Sequence, residues 1–502
     1  MRKPAFGRLT SAMAVLSIVW GLLLTGCTPG ATPTTTTKTL TVGATLEPPS
    51  LDPTTNSSAS IPQILLYNTY QTLVRLDSEG RLQPLLAQRW DVSPDRLTYT
   101  FYLDPSAKFS SGTEVTADAV VKSIRRIQDP ETVSVWADQM KVVSDAKAVN
   151  DHTLTVTLSR PSNNWLFNMA SSVGIVIDPE ASGLADKPAG SGPYMVDSWT
   201  RGDSITLKRN ESYWGTPPRY DTVVFRYYSD ANAMNSAMLS GQLDVISNLT
   251  APEAVGQFAD ESKYTVLRGT TNGEVVMGMN NIAAALKDVR VRRAISAAID
   301  KKALLDTVWA GEGELIGSMS VPTDPWFEDL TSVNPYDQAK ARTLLAEAGY
   351  GSGLSLRLRV PATPYARKSA EFVASSLKQV GITATIQELE FSVWYNDVFV
   401  NGDYDLTIVA HVEPRDVFTF ADPSYYWHYD NPEFTKLVTE ADEAPSEQEV
   451  ELMRKALRLL ATDAAADWLF MLPNLVVTRA GITGIAANAT SLSFDVTTIA
   501  SR

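Results

Sequence analysis

The chain of 502 residues has one cysteine and only three histidines. It also has fewer basic than acidic side chains, 43 against 57. Each scarcity excludes something. A lone cysteine leaves no intramolecular disulfide, so the folded body relies on its core. His152, His411 and His428 are too scattered to form the dense imidazole or thiolate set that soft and borderline metals prefer. No metal site and no resident cofactor are therefore expected. An acidic net charge of −14 argues against nucleic acid, which demands clustered Lys and Arg. Neither G-x-S-x-G nor H-E-x-x-H occurs. The glycines around Gly311 and Gly313 lack the Lys-Ser/Thr of a phosphate loop. No enzyme is expected. Beyond the first two dozen residues, no apolar run approaches the ~20 residues of a spanning helix.

The N-terminus is built differently from the rest. Arg2, Lys3 and Arg8 precede an uncharged, mostly apolar run over 9–24, which ends in Leu24-Thr25-Gly26-Cys27. Basic start, short apolar centre and small residues before a break are the parts of a secretory signal. The final four residues resemble a bacterial lipobox. That resemblance implies cleavage before Cys27 and lipid on Cys27, with the two acyl chains on its thiol enough for stable anchoring. The expected division is a signal peptide over 1–26 and a tether over 27–37, since TPGATPTTTT carries neither charge nor apolar run.

Strand and helix patterns alternate along the body. Segments 39–45 (TLTVGAT), 97–103 (LTYTFYL) and 153–158 (TLTVTL) alternate with period two and are rich in β-formers. Three prolines at Pro48, Pro49 and Pro53 forbid regular structure after the first of them. Segment 116–127 opens on a threonine cap and repeats apolar residues at helical spacing. Later, a strand over 354–360, an amphipathic helix over 365–380 stopped by Gly381, and a strand over 382–389 fit a parallel crossover. A helix over 391–400, a strand over 404–411 and a helix over 336–348 closed by Gly349 complete an α/β body with at least two sheets.

Several segments, in order, resemble the bacterial extracellular solute-binding proteins, family 5, which serve peptide and nickel ABC importers. They are LLAQRWDVSPDRLTYTFYLDPSAKFSSGTEVTADAVVKSIRR at 85–126, GSGPY at 190–194 followed by Trp199, and NESYWG at 210–215. MNNIAAALKDVRVRRAISAAIDKKAL at 279–304 and YDQAKARTLLAEAGY at 336–350 continue the match. The resemblance implies a two-lobed periplasmic-binding-protein-like α/β fold with an extra subdomain in the first lobe. Lobe 1 is expected at 38–60, 171–275 and 471–502, the extra subdomain at 61–170, and lobe 2 at 276–470. Ligand is then enclosed between the lobes by a hinge motion. The implied function is capture of a peptide and delivery to ABC permease subunits, by a monomer held on the outer face of the cell membrane. Chelated nickel, haem, an opine or an oligosaccharide are the alternative ligands on this scaffold, with a secreted hydrolase or a sensor as more distant readings.

In peptide-binding members an aspartate after the strand matching 404–411 pairs with the ligand amine. Here the text departs, reading Ala410-His411-Val412-Glu413-Pro414-Arg415-Asp416, with Pro414 at the aspartate's place. Glu413 and Asp416 are both left as candidates for an ammonium, because a carboxylate in a closed cleft makes a strong charge-assisted hydrogen bond. Arg415 is a candidate for a carboxylate, or simply the partner of one of those acids. His411 is a candidate for contacting a chelated metal. Trp394 and Tyr395 stand where the family often places a cleft aromatic, with core packing as the competing reading. The aromatic run 425–429 and the arginines Arg290, Arg292 and Arg293 are read as structural, the arginines as solvated or salt-bridged.

Overall fold

The computed structural model describes residues Lys38–Arg502, which form one compact unit. Cys27, the leader and the tether lie outside the described residues. The alternating 39–45 segment forms the strand Thr39–Ala44, at the centre of a seven-stranded sheet. It pairs in parallel with Thr222–Tyr227 on one side and Val245–Ile246 on the other. Asn474–Arg479 and Tyr264–Gly269 extend the sheet at one edge, and Ser204–Arg209 and Tyr194–Thr200 at the other. Leu40, Val42, Val223 and Phe225 are buried in its core.

A second sheet has five strands, in the order Ile382–Leu389, Leu354–Pro361, Leu406–His411, Glu274–Met279 and Ala466–Met471. The expected crossover is there. Leu354–Pro361 and Ile382–Leu389 run parallel in register over their whole length, joined by the helix Pro364–Gln379. Every residue of Glu274–Met279 is buried. Such a strand must read as continuously apolar, and Val275, Val276, Met277 and Met279 do. Glu274 is the exception.

A third, antiparallel sheet of four strands spans Ala87–Val92, Thr98–Leu103, Thr153–Leu158 and Val143–Asn150. The helix Ala117–Gln128 packs on it through Val120, Val121, Ile124 and Ile127. Its Thr116 hydroxyl accepts the Ala119 N–H at 3.3 Å, the capping expected from the sequence.

The chain passes between the two large sheets twice, through 270–273 and 472–473. These crossings lie side by side. The Leu472 N–H donates to the Gly273 carbonyl at 2.7 Å, and the Thr271 hydroxyl to the Leu472 carbonyl at 2.6 Å.

Two local expectations need correcting. Segment 391–400 is not one α-helix. It is α-helical over Phe391–Trp394 and a π-helix over Tyr395–Val400, with the Asn401 N–H reaching back to the Asn396 carbonyl at 3.1 Å. The β-branched and aromatic residues there resist regular α packing. Nor is Arg292 solvated. It is 7% exposed, on the helix Val289–Ala297, and donates to the carbonyls of Leu286, Lys287, Asp463 and Ala464. Arg292 thus satisfies backbone acceptors of a neighbouring helix end. Arg290 does pair with Asp288, at 2.6 Å.

Candidate functional site

Strand Leu406–His411 ends in the loop that carries most of the candidate residues. His411 is paired across the sheet with Glu274. Its Nδ1 lies 2.9 Å from the Asp416 carboxylate and its Nε2 2.7 Å from the Tyr426 hydroxyl. A carboxylate only accepts, so Nδ1 carries the proton and Nε2 accepts from Tyr426. The ring also lies against Trp427, centroids 4.9 Å apart. Both nitrogens of His411 are therefore occupied within the protein. Its work here is to fix Asp416.

After His411 the chain turns sharply, and Arg415 adopts a left-handed conformation with φ of 63°. A non-glycine residue held there signals a constrained loop. The consequence is directional. The Arg415 side chain leaves the loop, with its guanidinium over the Phe167 ring at 3.9 Å and near the Trp326 ring at 4.8 Å. Its ion-pair partner is Glu449, at 3.4 Å, and neither Glu413 nor Asp416.

Glu413 and Asp416 line a cavity of ≈ 350 Å³. Trp136, Asn164 and Phe167, from segments next to the four-stranded sheet, form one wall. Phe399, Phe418 and Tyr425 stand on the other side, with Ser491 and Leu492 from the C-terminal return. A second cavity of ≈ 250 Å³ shares Ser491 and Leu492 with the first and runs past Asn248, Asn272 and Asn474. Glu413 differs from Asp416 in having no hydrogen-bond partner among the described residues. Burial, reinforced by the Asp416 charge, pushes its carboxyl up to about 8. Behind them Glu274 is 4% exposed, and its Oε2 has no partner. Burial, with Asp416 and Asp324 nearby, holds the Glu274 carboxyl well above the usual carboxylate range.

The aromatic candidates divide. Trp394 is buried, and its Nε1 donates to the Thr407 hydroxyl at 3.0 Å. It packs behind the site. Tyr395 is 44% exposed and stacks on Phe399 at 5.1 Å, so it touches the cavity wall only through Phe399. Phe399 and Tyr425 are not among the expected site residues; Phe399 lies in the segment expected to be a helix and Tyr425 in the aromatic run. Tyr425 belongs to the run read as structural, and most of that run is: Tyr426, Trp427 and Tyr429 are buried. Nothing in the sequence pointed to Asp442. It ends the helix Pro432–Glu443 and accepts from Arg160 at 2.7 Å, the Ser162 hydroxyl at 3.0 Å and the Asn164 N–H at 2.8 Å. Asn163 adds bonds to the Ala441 and Ala444 carbonyls at 3.1 and 2.9 Å. These bonds clasp residues 160–164 to the end of the helix Pro432–Glu443.

A family profile described as bacterial extracellular solute-binding proteins, family 5 matches residues 81–437. The chain belongs to that family. As a member it is a substrate-binding protein of the extracytoplasmic kind. Among its relatives, the glutathione-binding protein GsiB of Pectobacterium atrosepticum is 29% identical over 70% of this chain and 69% of its own length. The probable D,D-dipeptide-binding periplasmic protein DdpA of Escherichia coli K12 is 27% identical over 86% of this chain and 88% of its own. A dipeptide binding protein from Pseudoalteromonas sp. SM9913, solved with Met-Leu, superposes with a TM-score of 0.82. It is 20% identical, and the match covers 93% of this chain and 100% of that one. The two-lobed α/β fold is therefore that of the periplasmic binding proteins. Among the described residues no group of three His, Cys, Asp or Glu side chains is placed to hold a metal ion, and no helix is long and apolar enough to cross a membrane.

Proposed function

We propose that this solute-binding protein captures a short peptide between its lobes and hands it to the permease of an ABC importer. The observation that carries the reading is Glu413, a carboxyl without a partner facing the cavity beside Asp416. A peptide α-ammonium brought there supplies the missing donor and countercharge. The cavity volume of ≈ 350 Å³ suits a ligand of two or three residues, with the adjoining space for a further side chain. The dipeptide and glutathione relatives support the same class. Arg415 positions the loop, while Glu413 and Asp416 contact ligand. The division into lobes is proposed as 38–60, 171–275 and 471–502 against 276–470, with 61–170 as the extra subdomain. Lipid on Cys27 anchors the protein to the outer face of the cell membrane, and it works as a monomer.

The test is ligand exchange. The chain from residue 38 onward is refolded from denaturant and titrated with mixed di- to pentapeptides, with melting temperature and mass spectrometry of what stays bound. A ligand at 100 times its Kd adds about 2.7 kcal/mol, an easily seen shift. Retained short peptides, lost in Glu413→Ala, are the expected result. Absence of stabilisation by every peptide sinks the peptide reading. For the anchor, Cys27→Ser is expected to move the protein from the membrane fraction to the soluble one.

A further inference from the structure

The cleft's charge is lopsided. The cavity at Glu413 is lined by two acids, Glu413 and Asp416, and one cation, Arg415, and only neutral side chains line the cavity past Asn248 and Asn272. A third cavity, which shares Ser491 with both, adds Asp77 and Arg75, the latter paired with Asp495 at 2.6 Å. Arg415 is not free to balance them. Glu449 neutralises it at 3.4 Å, Phe167 and Trp326 cover its guanidinium, and Asp324 and Asp442 add their charges from behind. Glu274 contributes a further buried carboxyl beside Asp416. A ligand ammonium in this cleft meets acids on two sides. A ligand carboxylate enclosed with it meets the same acids and no uncommitted cation, so it must surrender its hydration without a countercharge. Asn248, Asn272 and Asn474, in the smaller cavity, offer amide hydrogen bonds to a neutral group.

We propose that the cleft selects ligands of net positive charge, an amine whose enclosed remainder carries no carboxylate, and disfavours the zwitterion of the same size. This deepens the peptide reading by naming the charge class of its ligand. It predicts a preference for peptides whose C-terminal carboxylate is masked or lies outside the enclosed space.

The experiment compares matched ligands on the wild-type chain from residue 38 onward, the compact unit of the structure, by calorimetry at low salt. The set is Ala-Leu amide (cation), Ala-Leu (zwitterion), N-acetyl-Ala-Leu amide (neutral) and N-acetyl-Ala-Leu (anion), with n-butylamine and butyrate as a pair without a peptide bond. The amide is expected to bind at least tenfold more tightly than the free dipeptide, and the acetylated forms not at all. Equal or tighter binding of the zwitterion overturns the proposal. Binding of butylamine over butyrate, with no peptide of either charge bound, keeps the charge preference and discards the peptide reading. No preference for the cation in either set overturns the charge proposal, whether or not peptides bind.

Discussion

Glu413 gives the sharpest quantitative test. Its carboxyl is held at about 8, against an ordinary 4.5, by burial and by Asp416. At pH 6 it is therefore mostly protonated in the closed cleft. A ligand ammonium at hydrogen-bond distance favours the ionised form and draws its pKa down, so binding expels a proton. While the bound pKa lies below the working pH and the free value above it, affinity rises up to tenfold per pH unit, each unit being about 1.4 kcal/mol. From pH 5.5 to 7.5, below the α-amino pKa, the gain is up to roughly 100-fold. The other ionisable groups around it are Asp416, Arg415, His411 and Tyr425. The variant Glu413→Gln isolates its contribution, because it removes the Glu413 proton and leaves those groups in place. Calorimetry in buffers of different ionisation enthalpy measures the protons released. Wild type is expected to release close to one proton per ligand at pH 6, and Glu413→Gln close to none with a flattened pH dependence. Equal wild-type affinity at pH 5.5 and 7.5, with no proton released, refutes the reasoning. The same shift sets a stability dependence. A carboxyl whose folded pKa is raised stabilises the closed protein fully below about pH 4.5, and that contribution fades as pH climbs towards 8. Glu413→Gln is thus expected to match wild type near pH 4.5 and to melt higher than wild type at pH 8, by the equivalent of about 1–3 kcal/mol.

Asp442→Asn weakens the Arg160 ion pair and the bonds from Ser162 and Asn164. Because it lies outside the cavity lining, apparent affinity is expected to fall several-fold for every ligand alike, with a larger radius of gyration in solution scattering. A change in ligand ranking instead would make Asp442 a contact residue. Trp394→Phe keeps the ring but loses the Thr407 hydrogen bond, at a cost of about 1 kcal/mol by urea denaturation with peptide affinity unchanged. A loss of affinity without a loss of stability would put Trp394 in the ligand's path after all. Gly278→Ala places a Cβ against the Trp427 ring and 3.0 Å from the Thr407 methyl, in a buried strand. Destabilisation of about 1–3 kcal/mol is expected from overpacking, seen as a lowered melting temperature.

Elements with a clean period were legible. The Thr116 cap, the parallel crossover around Pro364–Gln379 and the helix stop at Gly349 each rest on a local rule, and each is where the sequence places it. The site was legible only as a loop. The family alignment around 404–411 pointed to the loop and left Glu413 and Asp416 as alternatives, and that the two share a cavity is a feature of the fold. That Arg415 leaves both and crosses to Phe167 depends on a left-handed backbone and on a residue almost 250 positions away, and no window of sequence contains that information. Asp442 was invisible for the same reason. In the sequence it is one acid among several at the end of a polar helix, and its burial is created by the docking of residues 160–164. The π-helical segment failed differently. The segment reads as one helix in the sequence, and its π-helical part coincides with the packing of Phe399 between Tyr395 and Tyr426.

On the proposed closure of the lobes, Glu413 and Asp442 act in opposite senses. The clasp at Asp442 favours closure whether or not the cleft is filled, since none of its partners needs a ligand. An acid whose ionisation is penalised inside the cavity opposes closure near neutral pH, because opening returns it to water. A protein with only the clasp would stay shut and exchange ligand slowly. One with only the acid would stay open and hold ligand weakly. On the proposed division the two share one lobe, so a ligand cation cancels the opposing term alone. Under that proposal closure responds to ligand charge rather than to ligand size. This is why the double variant Glu413→Gln/Asp442→Asn is expected to recover much of the closed population that Asp442→Asn loses, while recovering none of the preference for cations.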